Sequence, residues 1–347
     1  MRVKTIFQLT IIVFIMATLI LSACDKKSSN PVSYVDGYQP DYNEEKGTSY
    51  TGNFFPVAEG KEWHYSGSME GTMKLKMKGS YYGQNFDTTM VEPMNYPYCV
   101  AVSKILRSIS ATLGETSYTL FPEEQYADLG MESAYTEIVR YYEVTDSVVY
   151  IRAVPGDDGL VKVTDPVFVK SNLIVGDNWS SNPTVNTSDL MGEDDEVMEL
   201  NAECKLFVVG MDTVAYYING YYEEIQAMQL DEVAEFSGTL KSEEFGDTEF
   251  KMSGKVLVHF YLVEDIGIVA QLQHIEISMN GKISDSGGTI TINIDMDIDT
   301  DLSLSSYSGT MAKSTADHKN SLFKKNMPVD IEHLVHKAAR LVNLLKP

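Results

Sequence analysis

The chain has 347 residues, 44% of them hydrophobic, and a formal charge of −23. That length suits one large or two modest domains with a sizeable core. The acidic balance excludes nucleic acid, and argues against an anionic membrane surface, as the main partner.

The first predicted element is a signal. Arg2 and Lys4 precede an apolar run from Ile6 to Leu21, and Ser22, Ala23 and Cys24 follow. A basic start, an apolar middle and small residues at the cut are the order of an export signal. A cysteine directly after the cut marks a bacterial lipoprotein. Cleavage between Ala23 and Cys24 leaves Cys24 as the new N-terminus and its thiol as the lipid attachment point. The rival, an uncleaved anchor, sits near the lower limit of about 17 residues for crossing a bilayer. One acyl chain holds weakly, at about 0.8 kcal/mol per buried CH₂. A diacylglyceryl thioether with an added N-acyl chain such as palmitate holds firmly. The expected location is the bacterial cell envelope, lipid-anchored, with the outer membrane ahead of the inner. Asp25 would favour inner-membrane retention under enterobacterial rules, so the leaflet stays open. No later stretch is long and apolar enough to span.

Residues 24–52 are rich in Ser, Asn, Asp, Glu, Gly, Tyr and Pro, with little apolar periodicity. They are expected to form a tether from lipidated Cys24. A flexible chain of that length averages roughly 30 Å end to end.

Residues 53–312 carry a β pattern. Val148 to Val154 is a strand stopped by the turn residues 155–159. Lys205–Val209, Val214–Ile218 and Lys255–Val263 are further strands. Ile290, Ile292, Ile294, Met296, Ile298, Leu302 and Leu304 alternate with Thr291, Asn293, Asp295, Asp297, Asp299, Asp301 and Ser303. That is a long strand with one apolar and one wet face, bent or broken near Thr300. Such alternation indicates an antiparallel sheet covered on one side. Met131–Glu143 is an ambiguous helical candidate. The body has room for two similar halves, near 53–165 and 166–312.

The basic tail 313–347 changes period. It holds seven Lys and Arg against three acids, a net +4, which invites docking on the acidic body. Ile331, Leu334, Val335, Ala338, Leu341, Val342 and Leu345 fall at helical spacing. With Pro328 at the start and charges that suit the dipole, they predict an amphipathic helix over about 328–345. Its apolar stripe would pack on the sheet or plug an open barrel mouth; a detachable partner or membrane helix is the other expectation.

Phe54-Phe55-Pro56-Val57, then Gly60, Trp63 and Tyr65, resembles the opening of a broad group of bacterial lipoproteins and secreted proteins of unknown function. Their mature domain begins FPL-x-x-G-x-x-W-x-Y. Those proteins commonly repeat a Gly-x-x-Trp, matched here by Leu173, Val175, Gly176, Asp177 and Trp179. They often end on a Tyr strand and a Gly-aliphatic-Val step, matched by Tyr261, Gly267, Ile268 and Val269. The resemblance covers three islands across 54–270. It lacks the family's Ala-Gly-Thr-Phe step, which leaves the alignment of 185–250 open. It implies a curved antiparallel sheet, a half-barrel or a sandwich, and carries no catalytic residues. Read physically, each glycine permits a tight turn and each tryptophan then starts a strand and buries a large ring. A ligand-stacking role for Trp63 or Trp179 is the alternative.

The candidates for chemistry are few. Asp295, Asp297, Asp299 and Asp301 suggest a calcium loop, but Thr300 and Ser306 stand where that loop needs Gly and Glu. A solvated strand face, with weak divalent-cation binding as the alternative, fits better. The run Glu193-Asp194-Asp195-Glu196 is expected to be a wet loop. His259 and His274 flank a hairpin turning near Asp265-Ile266-Gly267, with Glu276 nearby. Two His and a carboxylate can bind zinc. Besides Cys24 there are Cys99 and Cys204; Cys204 keeps phase with Leu206 and Val208 and should point inward. Two buried thiols are expected, although export permits a disulfide. The adjacent tyrosine pairs, 81–82, 141–142, 216–217 and 221–222, put one ring on each sheet face, as core packing or as an aromatic ligand surface. No Gly-x-Ser-x-Gly elbow, P-loop, dinucleotide fingerprint or HExxH motif is present.

The expected fold is all-β and mainly antiparallel, a curved sheet, half-barrel or β-sandwich with a C-terminal amphipathic helix. The expected function is a non-enzymatic binding or assembly module of the envelope, with a protein partner. Alternatives are a carrier of a hydrophobic ligand such as a lipid, by analogy alone, and an envelope hydrolase. No cofactor beyond the lipid on Cys24 is expected.

Overall fold

The structure is a computed structural model. It describes residues 34–307 apart from 82, 129–134, 157–158, 164–166, 181–197, 219–220, 243–247 and 286–287. Ala23 and Cys24, the acidic run 193–196 and the predicted tail helix lie outside the described residues.

The chain opens on a short helix, α1 (Tyr34–Gly37), and a short strand, β1 (Ser49–Thr51). Two long strands follow, β2 (Glu62–Tyr81) and β3 (Gln84–Ile105). Then come β4 (Ile109–Leu113), β5 (Thr116–Asp128), β6 (Tyr135–Val144), β7 (Val148–Gly156) and β8 (Gly159–Lys162). Three short strands lead into the second half: β9 (Val167–Lys170), β10 (Asn172–Ile174) and β11 (Asn178–Ser180). That half is built from β12 (Met198–Ile218), β13 (Tyr221–Ser242), β14 (Thr248–Val263), β15 (Gly267–Asp285) and β16 (Gly288–Tyr307). Fourteen strands form one sheet in the order β11-β12-β13-β14-β15-β16-β2-β3-β5-β6-β7-β8, with β4 on β5 and β9 on β7. β1 and β10 make a separate pair. All pairings are antiparallel. The sheet is an open path, not a closed barrel.

The all-β antiparallel expectation therefore holds, and three details differ. Met131–Glu143 is no helix where it is described: β6 pairs with β5 and β7, because Tyr141 and Tyr142 send rings into different clusters on opposite faces. The strand Lys205–Val209 and the strand Val214–Ile218 are one, β12, which absorbs an irregularity between Val208 and Gly210. β16 does not break at Thr300, which pairs with Gln273 on one side and Met69 on the other.

Each half is a run of antiparallel neighbours, and the seam β16–β2 joins them. Three glycines shape that seam. A Cβ on Gly67, Gly71 or Gly79 would lie 1.7, 2.3 or 2.1 Å from a backbone oxygen of β16. Only hydrogen fits there, so the β2 backbone runs close to that of β16, the use of strand glycine for close backbone approach.

The apolar face carries the core. Phe55 stacks on Trp63 with ring centroids 5.8 Å apart, and meets Tyr142 and Phe168 at 5.4 and 5.1 Å. Phe168 reaches Phe260 from the far wall at 6.5 Å. Aromatic groups in these edge and offset arrangements add to what their buried area contributes.

Residues 34–51 differ from the tether expectation, because they lie against the sheet. The Tyr34 amide donates to Glu235 (2.7 Å), the Tyr38 hydroxyl to Asp231 (2.6 Å) and the Asn43 side-chain amide to Gln229 (2.9 Å). The physical reason is a small apolar island on the otherwise polar face. Phe207, Val233 and Leu257 stand side by side there and are covered by Tyr34, Val35 and Tyr38.

Candidate functional site

Register sets the polar face in rows that cross the sheet from β12 toward β2. One row reads Glu203, Glu235, Lys255, Glu276, Asp297 and Thr72. The next reads Lys205, Val233, Leu257, His274, Asp299 and Glu70, and a third Phe207, Asp231, His259, Leu272, Asp301 and Ser68. Two surface grooves run along this face. One, of about 690 Å³, takes its walls from Glu235, Lys255, Glu276, Asp295 and their neighbours. The other, of about 360 Å³, includes His259, His274, Asp299 and Asp301.

The hairpin predicted near Asp265 forms, with Asp265 itself in the left-handed region at φ 61°. It places His259 opposite Leu272 and His274 opposite Leu257, so the histidines are diagonal neighbours on one face. They do not share partners. His259 Nδ1 lies 2.6 Å from Asp231 and 3.3 Å from Gln229. His274 turns the other way, to β16. Its Nδ1 lies 2.8 Å from Asp299 and 3.7 Å from Asp297, and its Nε2 lies 3.6 Å from Glu276. The set His259, His274 and Glu276 is thus not assembled; His274 and Glu276 meet, and Asp297 and Asp299 stand where His259 was expected. Partial burial lowers the His274 pKa, but Asp299, Glu276 and Asp297 outweigh it and hold the imidazole above its ordinary value. Of the four strand aspartates, Asp295 accepts from Ser278 at 2.7 Å, and burial raises the Asp301 pKa. Sequence alternation put these four carboxylates on one face. It held no information on which residue of β15 each would meet.

The two tryptophans form matching corners. Gly60 and Gly176 have φ of 81° and 91°. In each corner the residue after the glycine donates to the carbonyl three residues back: Lys61 to Ala58 (3.1 Å), Asp177 to Ile174 (2.9 Å). Each glycine amide donates to a long strand, Gly60 to Ile105 and Gly176 to Val208. Those two residues in turn donate to Lys61 and Asp177. Both indoles are buried, at 1% and 9% exposure. Trp63 Nε1 donates to the Ile266 carbonyl (2.6 Å) and Trp179 Nε1 to the Val167 carbonyl (3.2 Å). Neither ring presents a face for a ligand to stack on. Gly267 lies against Trp63: a Cβ there would come within 3.2 Å of the indole nitrogen, and its φ of 103° favours glycine. The first and third sequence islands therefore meet in space.

Sequence reasoning missed a buried charged network on the apolar face. Arg140 Nε lies 2.7 Å from Glu123. Glu123 also accepts from Ser103, from the Tyr142 hydroxyl (2.7 Å) and from Gln125 (3.1 Å). Burial alone would raise its pKa, yet Arg140 and these donors hold it below the usual carboxylate range. On the opposite wall the Cys204 thiol donates to Glu232 Oε1 at 2.9 Å. Glu232 Oε2 has no hydrogen-bond partner among the described residues. Burial pushes the Glu232 carboxyl up to about 8, against the lowering effects of Cys204 and Arg140. Cys99 and Cys204 are buried thiols and share no disulfide. Burial, with help from Asp128, raises Cys99 to about 11.

No family model and no curated protein matches this chain. Among solved structures it is similar to a loop-deletion mutant of OmpT, an outer membrane protein of Vibrio cholerae. That match has a TM-score of 0.22 and 11% identity, and covers 70% of this chain and all of the other. A mutant of the TodX monoaromatic hydrocarbon channel gives 0.22 and 8%, covering 78% of this chain and all of the other. OccAB4 of Acinetobacter baumannii gives 0.16 and 9%, covering 71% and 99%. Likeness at these scores does not establish a shared fold.

Proposed function

We propose that this is a lipid-anchored protein of the bacterial cell envelope, with the outer membrane ahead of the inner, acting as a non-enzymatic binding or assembly module. The carrying observation is Cys24, placed directly after Leu21-Ser22-Ala23 and an apolar run with a basic start. Three features of the fold support the module reading. The apolar face is filled by its own aromatic rings, which argues against a carrier of a hydrophobic ligand. Glu123, Arg140 and Glu232, the charged groups of the apolar face, line neither groove. The wide polar face carries both grooves and suits an interaction surface for a cationic or hydroxyl-rich partner. The ordered segment from Tyr34 shortens the tether: the ten residues from Cys24 reach at most about 35 Å. The polar face under α1 is thereby held close to the bilayer.

The test is metabolic labelling with an alkyne palmitate, followed by fractionation. The full chain should take the label and pellet with membranes, and Cys24→Ser should lose the label and enter the soluble fraction. Label retained in Cys24→Ser would sink the anchor. A crosslinking pull-down from the native envelope that repeatedly yields no specific protein would count against the module.

A further inference from the structure

We propose that His274, Asp297 and Asp299 form a site for a divalent first-row metal ion, zinc foremost, with Glu276 positioning the imidazole.

Glu276 stands directly opposite Asp297 across the β15–β16 pair, and Glu70 directly opposite Asp299 across the β16–β2 pair. Like charges directly opposed on adjacent strands destabilise a sheet. A cation held by Asp297 and Asp299 offsets that repulsion. The second step is geometric. One ligand atom from each of His274, Asp297 and Asp299 can be chosen so that all three lie within 4.8 Å of one another. Tetrahedral zinc, with bonds of about 2.0 to 2.2 Å, wants neighbouring ligand atoms about 3.4 Å apart. The Nδ1 distances of 2.8 and 3.7 Å to Asp299 and Asp297 bracket that value. The third step concerns the other ring nitrogen. A metal-bound histidine commonly donates its second N–H to a carboxylate, which fixes the tautomer. Glu276 is 3.6 Å from Nε2 and is itself held by Lys255 at 3.8 Å. Nδ1 is then the nitrogen left to face the two aspartates.

The donor set chooses the metal class. Imidazole favours zinc, copper, iron or nickel over the harder calcium and magnesium, while carboxylates are tolerated by all. Three protein ligands on paired strands leave a coordination position toward solvent, with Asp297 lining one groove and His274 and Asp299 the other. The cluster mixes one histidine with two aspartates from the facing strand, and so differs from the plain acidic run that alternation suggested.

The experiment uses the full detergent-solubilised chain, stripped with a chelator and titrated with zinc in a calorimeter. Wild type should bind at a saturable site. His274→Ala should bind one zinc equivalent fewer, and Asp299→Asn should weaken that equivalent. Glu276→Gln should lower its affinity by about tenfold or more, the range for a carboxylate that orients a liganding histidine. His259→Ala should match wild type, since that ring belongs to Asp231. Cobalt substitution gives a second readout: the visible absorption of bound cobalt should change in His274→Ala and stay in His259→Ala. Equal zinc stoichiometry in wild type and His274→Ala would overturn the proposal, as would no saturable binding by wild type.

Discussion

On the apolar face Glu123 has Arg140 at 2.7 Å as an ion pair and three hydrogen-bond donors around it. On the polar face Glu276 has Asp297 directly opposite and a lysine at 3.8 Å, half in water. The same kind of group is thus handled in two ways by one sheet. Where water is excluded, a carboxylate persists as an anion only with a charge-assisted set of partners. Where water is present, a carboxylate needs no full set of partners, and opposed carboxylates cost far less than one buried unpaired anion. The buried side should therefore respond strongly to single changes and the wet side weakly.

The largest effect is expected at Arg140. Arg140→Met leaves Glu123 buried without its cation, and breaking a buried pair from one side costs about 3–5 kcal/mol. Urea denaturation of the variant should show that loss, or no folded baseline at all. A loss below about 1 kcal/mol would mean that Glu123 finds water or takes up a proton at little cost. Within the apolar face the two matched corners supply a finer comparison. Trp63→Ala should cost about 3–5 kcal/mol, because that ring is enclosed by Phe55 and Gly267. Trp179 sits at the sheet edge with the Lys170 ammonium 4.6 Å over its ring. Its replacement by Ala should fall at or below the bottom of the same range. Equal losses would show that the shared turn, and not the packing around it, sets the cost.

Glu232 sharpens the comparison through pH. Its folded pKa of about 8 lies above the ordinary carboxylate value of 4.5. Between these limits the unfolded chain has released the proton and the folded chain keeps it, so stability falls as pH rises. The slope from this group approaches about 1.4 kcal/mol per pH unit. Glu123 has the opposite sign: its depressed pKa contributes stability that is lost as pH falls below 4.5. Glu232→Gln keeps an acceptor for Cys204 and removes the titration. Its denaturation midpoint should exceed that of wild type at pH 8, with the difference vanishing near pH 4. Parallel pH profiles for the two proteins would show that Glu232 is solvated in the fold.

Much of this sheet was legible because a half-buried strand writes its two faces as alternating residues. β16 is the clearest instance, from Ile290 to Leu304. The Gly-x-x-Trp corners were legible for a related reason, since a positive φ and a large ring each select a residue type. Residues 34–51 were misread because their apolar contacts come from Val35 and the tyrosines 34, 38, 42 and 50, with no other Val, Leu, Ile or Met to mark a buried face. The partners of His274 were invisible, as pairing β15 with β16 fixes a register that alternation leaves free. Arg140 and Glu123 sit on neighbouring strands, but Glu232 is brought to them only by the curvature of the whole sheet. No local pattern encodes that approach.

The smallest effect tests the wet face directly. Lys255 lies between Glu235 and Glu276 in its row, 3.8 Å from Glu276 and with its ammonium 5.1 Å over the Tyr34 ring. Both members of the ion pair are about half exposed, at 50% and 53%. An exposed pair contributes about 0.2–1 kcal/mol and an exposed cation–π contact about 0.5–1 kcal/mol. Lys255→Ala should therefore cost about 1 kcal/mol in low salt. The cost should shrink in 1 M salt, where screening acts within about 3 Å. The Arg140→Met loss should keep most of its size in the same salt, since its pair is shielded from solvent ions. If the Lys255 loss matched that of Arg140 and ignored salt, the rows of the polar face would be holding the sheet together and not merely decorating it.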